Sequence, residues 1–382
     1  MRKKLFAAAA MTLALTFSAS ALLPGEQSTE TKYRLEWINC SPMPLGKVDP
    51  ETQVSIPALR GVVFFYTRDD AGDPLFRLLE NARRSFGGKV LIAVITPDDT
   101  TDATEFQKRH KESRLRLAVD LERKLTPHFL QGGNLILPAG FLLDADGQVL
   151  WRGEAADLPE AADLALSGKL DVGIQRKTAP LLDRIQQALR NGNMPLILRT
   201  AEQMFAIDPG NPAAVRMSVF AAESMRDPML AWKIVERQKQ AAPGVSRLNF
   251  TALELILRHN ELRDKLPGLI ADFLKSQPSA SLRYAFADAL LRNFPYDGAA
   301  IVGAKKLIES AALGVNAAPE EMAMVLALKA RLRYALGDLA GAEELQREAV
   351  QFYSRTGDKP GLDDARKMLD FFRTLTKEAQ TK

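Results

Sequence analysis

The feature that most restricts this chain is a spacing. In a stretch that is helix-periodic from about Lys177 to the C-terminus, breaks recur at Asp208-Pro209-Gly210, Ala242-Pro243-Gly244 and Gln277-Pro278-Ser279, then at Leu313-Gly314. The three prolines stand 34 and 35 residues apart, the length of two helices and the turn that closes them. One such pair cannot hide its apolar face, whereas stacked pairs share a continuous core, so the period predicts an array of helix pairs.

The period is similar to that of tetratricopeptide repeats. Counting back from Pro209, Gly192 falls where such repeats place a glycine between their helices, and Asp227 and Ala231 hold matching places before Pro243. The best repeat runs from Ala330 to Ala342, with Gly337-Asp338 as its turn and small Ala342 and Ala349 allowing close helix approach; the third departs, with Glu261 where glycine is expected. Four to five pairs and a terminal helix near Lys359 to Gln380 are expected over residues 173–382. Such an array curves around an inner groove. Helical phase makes Arg216, Arg258 and Arg283 candidates for a peptide groove suited to acidic segments or a free carboxylate, against the alternative of solvated arginines on an outer face. Met204, Phe205, Phe220, Trp232 and Phe286 are assigned to packing.

Residues 22–172 alternate between two periods. Val62 to Tyr66 and Lys89 to Thr96 read as buried strands, Asp73-Pro74 as the cap and start of a helix reaching Phe86, and Thr104 to Ser113 as an exposed helix. Leu115 to Val119 is a short strand or lead-in. Ala139 to Leu143 and Gln148 to Arg152 flank the turn Asp144-Ala145-Asp146-Gly147 as a hairpin, and Leu158 to Ser167 closes the domain as a helix. Within this order, Leu59 to Thr67 resembles the strand leading to the active site of exported thiol-disulfide oxidoreductases of the thioredoxin-like superfamily. Leu137 to Gly147 is similar to their cis-proline loop, strand and Asp-rich turn. The resemblance implies an α/β thioredoxin-like sandwich with Pro138 as its cis-proline, ahead of the all-α tetratricopeptide-like solenoid.

The departure from that family bears on function. Where its members carry Cys-x-x-Cys, this chain reads Asp70-Ala71-Gly72-Asp73. Thiol-disulfide exchange needs a thiolate and a resolving thiol, and carboxylates supply neither. The chain has one cysteine, Cys40, more than twenty residues upstream, so an intramolecular disulfide is impossible. Asp70 and Asp73 with Asp69 lack the convergent oxygens of a metal site, and the Asp144 turn lacks the further acidic ligands of a calcium loop. His110, His128 and His259 show no metal or dyad spacing, with His128 read as a surface residue. No metal and no cofactor is expected.

Met1-Arg2-Lys3-Lys4, the apolar run Leu5 to Phe17 and Ala19-Ser20-Ala21 have the form of a secretory signal peptide over residues 1–21. Its loss leaves 48 basic against 47 acidic side chains, a balance that does not suit a general nucleic-acid binder. No apolar run reaches the roughly 20 residues of a membrane span. The expectation is an exported, periplasmic or extracellular, non-catalytic adaptor or scaffold that binds a protein or peptide partner in the cell envelope. The alternatives are a thioredoxin-like oxidoreductase or peroxidase relative acting through Cys40 with an external thiol, and a chaperone-like holder of unfolded chains.

Overall fold

The computed structural model describes residues 34–40, 43, 57–69, 72–111, 113–130, 137–311, 319–356 and 359–380. The leader segment 1–21 and Asp70 lie outside the described residues. Apolar runs in the first part pair as expected of strands buried on both faces. The elements run β1 (Leu35–Trp37), β2 (Leu59–Phe64), α1 (Gly72–Ser85), β3 (Val90–Thr96), α2 (Thr100–Arg109), β4 (Arg116–Asp120), α3 (Leu125–Phe129), β5 (Ala139–Leu143), β6 (Val149–Glu154) and α4 (Leu158–Leu166). They form one mixed sheet in the order β1-β4-β3-β2-β5-β6. The three central strands are parallel, while β1, β5 and β6 are antiparallel to their neighbours.

Register is set by burial: every residue of β2 is buried. Arg60 is the exception in kind, and its guanidinium donates through Nη2 to the Asp144 carbonyl just past the end of β5. On one face of the sheet Phe65, Phe76 and Phe106 meet edge to face, with ring centroids 5.5 and 5.0 Å apart. Gly61 lets α4 close on the sheet, since a Cβ there would lie 2.8 Å from Leu158 Cδ2. The β5–β6 turn follows the expected chemistry. Asp144 Oδ1 accepts from the amides of Asp146 and Gln148 at 2.9 and 2.8 Å, and Gly147 takes a φ of +80°.

From Val172 onward the described chain is helical, but the change of secondary structure is not where the compact units divide. Those units are residues 1–221 and 222–382, so α5 (Val172–Arg190), α6 (Met194–Ile207) and most of α7 (Pro212–Ser224) cluster with the sheet. A buried side chain ties them: Arg152 on β6 donates through Nη2 to the Ala179 carbonyl at 2.9 Å and to Asp183 Oδ2 at 2.7 Å, both on α5. Phe220 is 44% exposed, which corrects its assignment to packing: α7 turns that ring away from the face occupied by Val215 and Val219.

The second unit contains α8 (Pro228–Ala241), α9 (Arg247–Arg258), α10 (Leu266–Lys275), α11 (Ala280–Asn293), α12 (Gly298–Glu309), α13 (Pro319–Ala335), α14 (Leu339–Tyr353) and α15 (Lys359–Gln380). A cap recurs along the helical region. Asn193, Asp227, Asp297 and Asp338 each accept a hydrogen bond from the amide three residues on, opening α6, α8, α12 and α14. The helix α10 breaks the series. Lys265 offers no cap, and a 3-10 segment, Asn260–Lys265, includes Glu261, where the expected repeat pattern called for glycine. The close approach expected near Ala342 is present, with Ala330, Ala342 and Phe372 forming a small core.

A second close approach falls between α10 and α12, where a Cβ on Gly303 would sit 2.8 and 2.9 Å from Ile270 Cγ2 and Cδ1. Around Gly268, on α10, a Cβ would meet nothing within 4 Å. Gly303→Ala is therefore expected to cost about 1–3 kcal/mol of stability, and Gly268→Ala to gain about 0.5–1 kcal/mol. Urea unfolding of the two variants beside the parent chain checks the opposite signs.

Candidate functional site

Strand β2 delivers the chain to the turn that precedes α1. Thr67, almost fully buried, donates both its amide and its hydroxyl to Asp98 Oδ2, at 2.6 and 2.7 Å. Arg68 bonds Asp99 at 2.9 Å and also Asp102. Two turns, one after β2 and one after β3, are thereby cross-linked by carboxylates.

Helix α1 then begins at Gly72, and Asp73 lies inside its first turn. This corrects the expectation that Asp73 is the N-cap. Its Oδ1 instead pairs with His110 Nε2 at 2.9 Å, with Arg109 Nη2 at 3.5 Å. The hydrogen bond from His110 holds the Asp73 carboxyl below the usual carboxylate range. The imidazole is wedged between Phe76 and Phe106, at centroid distances of 4.8 and 4.6 Å. A carboxylate committed to an imidazole at the head of a helix is an electrostatic anchor, and neither group is a nucleophile of the thiolate kind. His128, expected at the surface, is half-buried and edge-on to Phe129 at 6.2 Å, because α3 folds its end inward.

Cys40 follows β1, with Sγ 3.6 Å from the Leu117 carbonyl. Burial pushes its thiol pKa up. Strand β1 is at the sheet edge and two strands, β4 and β3, intervene before β2. Three strand spacings are about 14 Å, which separates the only thiol from the strand that leads into α1.

The Leu137–Pro138 peptide bond is cis. Beside it lies a cavity of ≈ 200 Å³, walled by Pro138, Leu182, Leu189, Ala213 and Met217, with Glu154 and Arg216 as its charged members. Arg216 is fixed in place. Its Nη1 and Nη2 donate to the two oxygens of Asp157 at 3.0 and 2.6 Å, and Nε lies 2.6 Å from Glu154 Oε2. Asp157 is 4% exposed, so this pair is an internal strut within the first unit.

The other two groove candidates are also engaged. Arg258 Nε donates to Glu223 Oε1 at 3.0 Å, an oxygen shared with His259 Nε2 at 2.6 Å. Arg283 donates to the carbonyls of Pro278, at 2.8 Å, and Ser310. The three arginines share no partner, and each is occupied by groups of its own unit. The cavity beside Pro138 left no mark in the sequence, because α5 and α7 that wall it carry ordinary amphipathic patterns.

Among the described residues no group of three or more His, Cys, Asp or Glu side chains is placed to hold a metal ion. No described helix is long and apolar enough to cross a membrane.

No protein-family model matches the sequence, and no curated protein matches it either. Solved structures similar to it are thioredoxin-like. They include the bacterioferritin comigratory protein of Xanthomonas campestris, described for alkyl peroxide reduction, at 21% identity and a TM-score of 0.25 over 30% of this chain and 82% of that one. A protein assigned as the thiol:disulfide interchange protein DsbE of Chlorobium tepidum is 19% identical, with a TM-score of 0.26 over 30% of this chain and 81% of its own. StoA from Bacillus subtilis is 14% identical, with a TM-score of 0.23 over 28% and 83%. Nothing about activity, substrate or site follows from likeness at these levels.

Two outcomes follow from the titrating groups. With its thiol pKa raised, Cys40 holds less thiolate near neutral pH than an ordinary cysteine, so iodoacetamide should modify it more slowly than it modifies a free peptide thiol; mass spectrometry over time checks this. The depressed carboxyl of Asp73 contributes stability at neutral pH that is lost as pH falls below about 4. Asp73→Asn should therefore flatten the acid limb of the stability profile, read by urea unfolding at successive pH values.

Proposed function

We propose that this chain is an exported, non-catalytic adaptor: a thioredoxin-like domain without redox activity, followed by a tetratricopeptide-like helical array that holds a protein or peptide partner in the cell envelope. The observation that carries the reading is the state of the single thiol. Cys40 is half-buried, protonation is favoured, and it belongs to the sheet edge remote from β2, whereas exchange chemistry needs an exposed, low-pKa thiolate with a second thiol in reach. At the head of α1 the carboxylate of Asp73 is bound by His110, which supports a structural role for that turn.

Binding is supported by surface form. The apolar cavity next to Pro138 accepts a side chain of a docked segment, and the caps Asn193 and Asp227, 34 residues apart, support repeated helix pairs of the kind that present extended binding faces. The cavity is small for a metabolite, since small-molecule sites run from about 300 Å³ upward.

The test pairs capture with turnover. The chain from residue 22 to 382, and its Cys40→Ser variant, are used as bait in envelope extract and assayed for insulin reduction and peroxide consumption with an added thiol. Equal retention of the same partner by both forms, with no turnover that depends on Cys40, is the expected result. Turnover abolished by Cys40→Ser would replace the adaptor with a single-cysteine oxidoreductase or peroxidase.

A further inference from the structure

In the first unit, α1 and the segment between α2 and β4 meet around one carboxylate. Glu80 is 6% exposed and heavily bonded. Its Oε1 accepts from Arg83 Nη2 at 2.8 Å and Arg84 Nε at 3.2 Å, and its Oε2 from Arg83 Nε at 3.0 Å, Ser113 Oγ at 3.0 Å and the Arg114 amide at 3.3 Å. Those five donors fill the acceptor capacity of a carboxylate, so Glu80 has none left for a cation from outside. Its effect is to orient two guanidinium planes. Arg83 is gripped through two nitrogens, whereas Arg84, with its side chain 63% exposed, is held through Nε. The terminal amino groups of Arg84 have no acceptor among the described residues.

Further positive charge surrounds this hub. Arg77 lies two turns before Arg84 on the exposed face of α1. Lys89 immediately precedes β3, and Lys111 and Arg114 stand on either side of Ser113 ahead of β4. Because β3 and β4 are parallel neighbours, these approaches open on the same sheet edge. The side chains of Arg77, Lys89, Lys111 and Arg114 are exposed and have no ion-pair partner among the described residues; Glu112 lies outside those residues. Acidic side chains gather at the opposite edge. Asp98, Asp99 and Asp102 follow β3 and bind Thr67 and Arg68. Strand β3 has seven residues, which puts about 20 Å between the two edges. That exceeds the Debye length of about 8 Å at physiological salt, so the basic edge keeps its own field.

We propose that this edge is a docking surface for an acidic segment of a protein partner. Oriented guanidinium forks match carboxylates side by side, and Glu80 shows that geometry already realised on this face. A membrane surface would be held by inserted apolar side chains as well as by charge. Leu78, 41% exposed, is the one large apolar side chain that α1 and these approaches expose among the described residues, which favours the protein segment. The proposal deepens the adaptor reading by naming the chemistry of the partner and the face it meets, and rests on that reading only for the source of the segment.

The surface is tested by fluorescence anisotropy of the chain from residue 22 to 382 with three labelled peptides, built from Glu-Ala, Gln-Ala or Lys-Ala repeats, and by co-sedimentation with vesicles of phosphatidylcholine and phosphatidylglycerol. The glutamate peptide is expected to bind with a Kd of about 0.1 mM at low salt and to be released as salt is raised. The glutamine and lysine peptides should show no measurable binding. Lys111→Glu combined with Arg114→Glu should weaken the glutamate peptide about tenfold. Arg77→Glu combined with Lys89→Glu should do the same, and keeps the test valid should the first pair fail to fold. Lys233→Glu, an exposed change on α8 in the second unit, should leave binding unaltered. The proposal is overturned if the glutamine peptide binds as well, if both reversed pairs bind like the parent chain, if Lys233→Glu weakens binding as much as they do, or if vesicles are retained and the peptide is not. Binding of the glutamate peptide with no partner captured from extract keeps the surface and removes the adaptor reading; a captured partner without peptide binding does the reverse.

Discussion

The buried guanidinium of Arg152 joins what the sequence presents as two different kinds of protein. It stands on β6, inside an α/β sheet, and its donors reach the Ala179 carbonyl and Asp183 on the first helix of the all-helical part. A charge this deeply buried must be paired, and removing either partner leaves it uncompensated. The link therefore holds α5 against the sheet. With α5 in place, Leu182 and Leu189 become walls beside Pro138, and α7 can bring Arg216 to Asp157. The first compact unit ends at residue 221, well after the last strand.

The same rule governs the charged residues that attract attention in the sequence. Asp73 binds His110, Arg216 binds Asp157 and Glu154, Arg258 binds Glu223, and Arg283 binds two carbonyls. None stands ready for a ligand as a bare charge. An apolar hollow is instead kept open beside Pro138 by the Arg216–Asp157 pair. Fold alone would not have indicated that place, since one scaffold hosts many tasks.

Much of the architecture was legible because it rests on short-range patterns. The runs at β2 and β3, the Asp144 to Gly147 turn and the hairpin it closes, and the helix from Leu158 all follow from side-chain period and turn chemistry within a few residues. Others were not. Strand β1 has three residues and α3 five, too few to show a period. Helix α1 starts before Asp73, and the turn ahead of it is held by Thr67 bonding to Asp98 from a distant segment. The exposed Phe220 shows the limit of reading an aromatic residue as core.

The amino-acid order alone settled that the chain has an alternating half and a helical half, that proline- and glycine-containing breaks recur along the latter, and that only one thiol exists for any redox chemistry. These are local or compositional properties, present before any contact forms. Which charges are spent on internal pairs, where the compact units divide, and where cavities open depended on side chains far apart in sequence. Cys40 with Leu117, Arg152 with Asp183 and Arg216 with Asp157 meet only after the sheet and helices have packed. Packing sets burial, and burial sets the cost of an unpaired charge.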